Sequence, residues 1–214
     1  MKLHTYFRSS AAYRVRIALN LKGVDYEAVP VHLVRGGGEH RQPAYLGLNP
    51  AGLVPALEDQ GQVLTQSLAI IEYLEETHPQ PALLPAAPLD RARVRAIAQA
   101  IACDIHPVNN LRVLQYLTRE LGADEVQKSA WYRHWIGVGL QAVEAMLAGD
   151  ARSAAFCHGD TPGVADCCLV PQVFNARRFG CDLSAMPTVL RIADNCAGLE
   201  AFRRAAPEAQ PDAE

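Results

Sequence analysis

The sequence predicts an α/β domain followed by an all-helical domain, and three observations carry that expectation. From Lys2 to His78 short strand-like runs alternate with helical patterning. Pro79, Pro81, Pro85 and Pro88 then fall within ten residues, a stretch through which no helix or central strand can run. Beyond them the apolar spacing is helical throughout. The expected boundaries are an α/β domain over 1–81, a proline-rich linker over 82–88 and a helical domain over 89–214.

Taken in order, a strand is expected at Leu3 to Phe7 and a helix from about Ser10 to Lys22, closed by Gly23 in a left-handed conformation. A strand follows at Glu27 to Val31, then two short strands at Ala56 to Glu58 and Gln62 to Leu64 joined by a hairpin at Gln60-Gly61, then a helix from about Ser67 to Glu76. This is βαβ followed by ββα, a small sheet with helices on its faces. In the second region Val94, Ile97 and Ile101 share one helix face, and Ile136, Leu140, Val143 and Leu147 share another. Pro107 interrupts the first long helix there and should bend it, because its ring meets the carbonyl of Cys103. Pro207 to Glu214 reads as a frayed tail.

Composition narrows the function. The chain has 214 residues with 20 Lys+Arg, 23 Asp+Glu and 50% apolar residues, a soluble globular balance. Up to position 81 there are 7 basic and 8 acidic residues, and after it 13 and 15, so neither part carries the clustered cations that nucleic acid requires. No apolar run is long enough to span a membrane, and Met1-Lys2-Leu3-His4 opens directly into a strand pattern with no signal-peptide core. The six cysteines, Cys103, Cys157, Cys167, Cys168, Cys181 and Cys196, form no CxxC pair. A chain of this length can bury about 70% of its unfolded surface without disulfide staples, so free thiols in a reducing cytoplasm are expected.

Two stretches point to a ligand. In Phe7-Arg8-Ser9-Ser10-Ala11 a strand ends in an arginine and two serines and a helix begins at once, aiming backbone N–H groups and the positive end of a helix dipole at one spot. That spot suits an anion, although a serine there is also a preferred N-cap. In Asn49-Pro50-Ala51-Gly52-Leu53-Val54-Pro55 a proline before a strand suits a fixed turn whose Val54 backbone could pair with an extended ligand. A cis Val54-Pro55 bond would be unusual, since about 5% of such bonds in folded proteins are cis. Gln66-Ser67 opens a helix and offers a second anion site.

Together these residues resemble the cytosolic glutathione transferases, and specifically the zeta class. The resemblance runs through Tyr6 to Leu21, Leu48 to Leu57, Gln66 to Glu75, Asp104 to Leu114, Gly159 to Arg178 and Leu199 to Arg203, nearly the whole chain. It implies a thioredoxin-like first domain, an all-helical second domain, a homodimer and glutathione bound between the domains. It further implies cofactor contacts at Ser9, Ser10, Ala11, His40, Val54, Pro55, Gln66, Ser67, His106, Asn110, Leu111 and Arg112, with Asp104 reaching the partner subunit's glutathione. Three departures stand out. Ala11 occupies the place of the cysteine common in this class, which leaves Ser9 as the catalytic hydroxyl, with Ser10 and Arg8 beside it. Gly163 stands where the class usually has threonine, with Asp166 kept three residues on. The loop Val34 to His40 holds three glycines and should be mobile.

The implied activity is glutathione-dependent cis–trans isomerisation of a maleyl dicarboxylate, with maleylacetoacetate, from aromatic amino-acid breakdown, the leading substrate and maleylpyruvate the runner-up. A conjugating transferase acting on α-halo acids, or a non-catalytic glutathione binder, are the alternatives. A thiolate that adds to one alkene carbon makes the bond single, allows rotation and leaves again. Lowering a generic thiol's pKa from about 8.5 to about 6.5 raises the thiolate fraction at neutral pH roughly 25-fold, while nucleophilicity falls roughly 8-fold, a net gain of roughly threefold. Positioning must therefore supply more than sulfur activation. Arg8, Arg112 and Arg178 are the candidates to hold the substrate carboxylates and the developing enolate charge. Arg177 reads as solvated, Cys167-Cys168 as small core residues, and Trp131 and Trp135 as packing within the helices. Cys103-Asp104-Ile105-His106 has no second ligand pair, so no metal is expected.

Overall fold

Strand β1 (Lys2–Thr5) lies at the centre of the first sheet because its side chains from Leu3 to Thr5 are all buried. It pairs in parallel with β2 (Glu27–Pro30) and antiparallel with β3 (Ala56–Asp59), and β3 pairs antiparallel with β4 (Gln62–Thr65), giving the order β2-β1-β3-β4. Leu3 stands opposite both Ala28 and Leu57. The β3–β4 hairpin turns on Gln60 and Gly61 with φ of 48° and 75°, the doubly left-handed pair that a two-residue loop between twisted strands requires. Helix α1 (Ser10–Leu21) connects β1 to β2, and α3 (Ser67–Thr77) follows β4. A short helix that the sequence pattern did not reveal, α2 (Pro43–Leu48), has Pro43 at its first position. Gly23 is left-handed at φ +64°, as its place after α1 predicts.

The computed structural model describes all 214 residues, in two units: Met1–Leu83 together with Ala197–Glu214, and Leu84–Cys196. The sequence grouped the last segment with the helical region, but in the structure it belongs to the first. Arg16 explains why. It is fully buried, and its guanidinium donates to the Ala205 carbonyl at 2.9 Å, to Thr5 Oγ1 at 2.9 Å and to the Phe7 carbonyl at 3.0 Å. One side chain of α1 thus joins the end of β1 to α10 (Glu200–Ala205). Burial pulls the Arg16 pKa down to about 10, which still leaves it charged at neutral pH. The tail is not frayed. Pro207–Ala209 forms a 3₁₀ turn, the buried Gln210 amide donates to the Arg204 and Ala206 carbonyls at 2.9 Å, and Asp212 accepts from the Phe7 N–H at 3.0 Å.

A buried ion pair anchors the start of the proline-rich stretch. The Lys22 ammonium, with no exposed side-chain surface, meets Glu75 at 2.7 Å and donates to the His78 and Pro81 carbonyls at 2.7 and 3.0 Å. The Glu75 carboxylate also accepts from the Leu83 N–H.

The second unit contains α4 (Pro88–Gln99), a π-helical turn over Ala100–Ile105, α5 (His106–Val108), α6 (Leu111–Arg119), α7 (Glu125–Ala148), α8 (Val164–Arg178) and α9 (Pro187–Ala197). Val94, Ile97 and Ile101 are buried, as are Ile136, Leu140, Val143 and Leu147, so both periodic faces are core. Pro107 is accommodated by widening the turn before it: the His106 N–H bonds the Ile101 carbonyl, five residues back, instead of the usual four. Asp124 and Gln127 cap α7 reciprocally, at 2.8 and 2.9 Å. At α8, Gly163 has no side chain to cap with, but buried Asp166 reaches back to the Gly163 N–H at 2.8 Å and takes the Cys157 N–H at 2.9 Å. Cys167 and Cys168 are core residues. No helix is long and apolar enough to cross a membrane.

Candidate active site

The end of β1 sets the first group of side chains. Ser9 adopts an extended backbone and caps α1, its Oγ accepting from the Ala12 N–H at 3.2 Å. The capping reading is therefore correct, and it does not exhaust the hydroxyl. Accepting a bond leaves the Ser9 O–H hydrogen available to donate. Ser10 is buried in the first turn, and Ala11 beside it offers only a methyl group. Arg8 is exposed, with its guanidinium 4.6 Å from the centre of the Phe7 ring and 3.4 Å from the Glu214 carbonyl oxygen.

The glycine-rich loop is more tightly built than three glycines suggested. The Glu39 carboxylate accepts from the His32 N–H at 2.7 Å, and His32 Nδ1 accepts from the N–H groups of Val34 and Arg35 at 3.1 and 2.7 Å. Gly38, at φ +104°, has a specific reason to be glycine: a Cβ there would lie 2.4 Å from the His40 ring. The loop closes directly over that imidazole. His40 is buried, its Nδ1 has no partner, and burial together with Arg41 holds its pKa below the ordinary histidine value, so it is neutral at pH 7.

The Val54–Pro55 bond is cis, the isomer that base frequencies disfavour. The Tyr45 hydroxyl and the Asn49 amide both donate to the Leu53 carbonyl at 2.7 Å and hold this corner. Val54 packs with Tyr6, Phe7, Val31 and Tyr45 in one apolar cluster. Gln66, exposed and at φ 69°, precedes α3 in a conformation uncommon for a residue with a side chain. Ser67 behind it is buried, and its Oγ accepts from Arg14 Nη1 at 3.2 Å. Arg14 was not among the sequence candidates. Its signal was available: Arg14 and Arg16 are the two charges in an otherwise apolar α1.

In the second unit Asp104 is exposed on the π-turn and His106 is half-buried in α5. Asn110 caps α6, its Oδ1 accepting from the Arg112 N–H at 3.1 Å, while Leu111 is half-buried and the Arg112 side chain is exposed. Arg178 is exposed at the end of α8, its guanidinium 5.1 Å from the centre of the Phe179 ring, which stacks at 3.7 Å on Tyr132. Arg177 pairs with Asp194 at 2.9 Å on the surface. Trp135 differs from expectation: it is 37% exposed and touches Trp131 edge-on, while Trp131 donates to the backbone.

These residues offer polar groups and helix N-termini suited to an anionic ligand. The partnerless Nδ1 of buried His40 asks for a polar group, the Ser9 O–H can donate at a helix start, and α3 presents its N-terminus behind Gln66. Comparison with known proteins identifies the family. Residues 3–82 match the family pattern described as glutathione S-transferase, N-terminal domain. The chain is 57% identical to maleylacetoacetate isomerase of Pseudomonas aeruginosa over 213 residues, covering 99% of this chain and 98% of that protein. A holo structure of maleylpyruvate isomerase, described as a bacterial glutathione S-transferase of the zeta class, superposes with a TM-score of 0.97 at 53% identity, each chain covered completely. Maleylacetoacetate isomerase of Methylobacterium extorquens, solved with bound malonate and glutathione, superposes at 0.96 with 43% identity, again over all of both chains. The chain belongs to the glutathione S-transferase family, in its zeta class, and its fold is the thioredoxin-like and all-helical combination of that family.

Proposed function

We propose that this protein is a glutathione-dependent isomerase that converts maleylacetoacetate to fumarylacetoacetate, and that it works as a homodimer in the cytoplasm. The observation that carries the reading is Ser9, a hydroxyl held at the start of α1 by the Ala12 N–H with its own hydrogen still to give, in a chain related over its full length to maleylacetoacetate isomerase. Glutathione, when bound, supplies a thiolate that adds to the maleyl double bond, frees rotation about it and leaves again. Ser9 donates to the sulfur, and the N-terminus of α1, at Ser10 and Ala11, favours its negative charge. The backbone of Val54 beside Pro55 pairs with the extended peptide. Gln66 and Ser67 hold one carboxylate at the start of α3, and His40 donates to another polar end of the same ligand. His106, Asn110 and Leu111 complete the contacts, and Asp104 reaches the glutathione of the second subunit.

Arg8, Arg112 and Arg178 bind the carboxylates of the substrate and the enolate-like charge that forms on addition. All three are exposed, and a guanidinium can grip a carboxylate through two bonds. The cytoplasmic assignment is supported by six cysteines that are all free thiols, with burial pushing Cys157 and Cys167 well above the ordinary thiol range and so leaving them unreactive. Maleylpyruvate is the second substrate to test, favoured by the 0.97 superposition on maleylpyruvate isomerase.

The test is the ultraviolet absorbance of freshly prepared maleylacetoacetate and maleylpyruvate with the protein, with and without glutathione, coupled to the matching fumaryl hydrolase. Rapid loss of maleylacetoacetate at constant total glutathione is expected. Preference for maleylpyruvate would reassign the substrate. Halide release from α-halo acids with consumption of glutathione would make the protein a conjugating enzyme, and glutathione binding without any turnover would make it a binder.

A further inference from the structure

Helix α7 contains two glycines in its interior, Gly137 and Gly139, where glycine weakens a helix. Their surroundings differ sharply. A Cβ on Gly137 would meet nothing within 4 Å, whereas a Cβ on Gly139 would lie 2.2 Å from Ile105 Cγ1 and 2.6 Å from Cδ1. Ile105 is the last residue of the π-turn and only 3% exposed, so its side chain occupies the space that any other residue at 139 would need. Eight residues earlier on α7, the Trp131 indole N–H donates to the Val108 carbonyl at 2.9 Å. Val108 ends α5, and the Arg112 N–H that would continue a helix to its carbonyl goes instead to Asn110 Oδ1. The indole supplies a partner to this helix-end carbonyl.

We propose that Gly139 and Trp131 are positioning residues: together they seat the π-turn and α5 on α7 and so fix where His106 and the Asn110–Arg112 cap stand. Ile105 and Val108 bracket His106 and Pro107. One is held by shape and the other by a directional hydrogen bond. The π-turn that admits Pro107 adds a residue to the turn, and Gly139 is the notch that receives Ile105 at its end. A bulkier residue at 139 would push Ile105 away and carry His106 with it, while leaving the helices themselves intact. The inference rests on the proposed roles of His106, Asn110 and Arg112, and its test separates the two.

The experiment compares Gly139→Ala with Gly137→Ala, the same chemical change half a turn away, together with Ile105→Ala, Gly139→Ala/Ile105→Ala and Trp131→Phe. Substrate KM and kcat are measured alongside glutathione affinity by calorimetry and the folded fraction by circular dichroism. Gly137→Ala is expected to leave KM and kcat unchanged. Gly139→Ala should lower kcat/KM for the substrate about tenfold, as sub-ångström misplacement of Arg112 would, and weaken glutathione affinity about threefold through the displaced His106 and Asn110. Adding Ile105→Ala should bring kcat/KM back to that of Ile105→Ala alone, because the colliding atoms are gone. Trp131→Phe, which keeps an aromatic ring but loses the donor, should act in the same direction by about threefold. The proposal is overturned if Gly139→Ala is as silent as Gly137→Ala, if its loss follows the unfolded fraction alone, or if the double variant shows no rescue. Should the unaltered protein turn over neither maleyl acid, the isomerase reading fails by itself, and the same set of variants is then judged by glutathione affinity.

Discussion

The two units hold their candidate site residues by different means. At Ser9, Ser67 and His40 the positioning is local or comes from buried polar partners: a cap onto Ala12, a hydroxyl against Arg14, a loop folded over an imidazole by Gly38. At His106, Asn110 and Arg112 the chain is irregular, with a π-turn, a proline and a single-turn helix in succession, and beside the Asn110 cap it meets α7 where Ile105 faces Gly139 and where the Trp131 indole donates to Val108. Ser9 and Ser67 depend on specific hydrogen bonds with near or buried partners, whereas His40 and the segment around His106 also depend on a glycine, Gly38 or Gly139, at which an added side chain would not fit.

The largest expected effect breaks the first unit at its buried charge. Glu75→Ala strands the Lys22 ammonium, which has no exposed side-chain surface, and removes an acceptor for the Leu83 N–H. Leaving one partner of a buried ion pair alone costs about 3–5 kcal/mol. Urea denaturation should show a loss of that size, and a loss under about 1 kcal/mol would mean that Lys22 finds compensation in the His78 and Pro81 carbonyls. Next in size is Ser9→Ala. Because sulfur activation alone is worth only about threefold, the loss here comes from misplacing the glutathione sulfur that Ser9 holds, which can cost about 100-fold in turnover. Losing the cap costs about 1 kcal/mol of stability in addition. Turnover should therefore collapse while glutathione affinity stays within about threefold. Ser9→Thr restores both the cap and the donor, and unchanged turnover in Ser9→Ala would remove Ser9 from the chemistry altogether.

This contrast also accounts for what could be read from the sequence. Strand-to-helix punctuation is local, so Ser9, Gly23, Gln60-Gly61 and Ser67 were legible as cap, left-handed stop, hairpin and helix start from a few neighbouring residues. The periodic core of α4 and α7 was legible for the same reason. Arg14 and Arg16 stood out as charges in α1, but their distant partners did not, because Ser67 and Ala205 lie 53 and 189 residues away, and Ala197–Glu214 joins the first unit through that second contact. The Gly38 loop looked mobile because three glycines in a row carry no record of the hydrogen bonds that His32 and Glu39 impose. Gly139 was invisible, since a glycine inside a helix announces neither the side chain that fills its space nor the distance from which that side chain comes.

A milder change sharpens the comparison in the second unit. Arg178 is exposed and rests against Phe179, with no ion pair to hold it in place. Arg178→Lys keeps the charge and gives up the second bond to a carboxylate. Losing one charge-assisted hydrogen bond, worth about 1.5 kcal/mol, should weaken substrate affinity about tenfold while glutathione affinity changes less than about twofold. Equal effects on both ligands would detach Arg178 from the substrate.

The smallest effect is also the most specific to this chain. Gly163 begins α8 without a side chain, and Asp166 supplies half of a capping box alone, by accepting from the Gly163 N–H. Gly163 has φ −137° and ψ −165°, an extended conformation open to any residue. Gly163→Thr should complete the box by returning a bond to the Asp166 N–H. Because glycine is only a few tenths of a kcal/mol worse than threonine as a cap, the gain should raise Tm by about 1 °C in a chain of this size. The isomerase rate should not move, since the change acts at the far end of α8 from Arg178. A larger gain would mean that burying Asp166 against Cys157 leaves that carboxylate poorly compensated in the native protein, and a loss would mean that the glycine is kept for space at the α8 start.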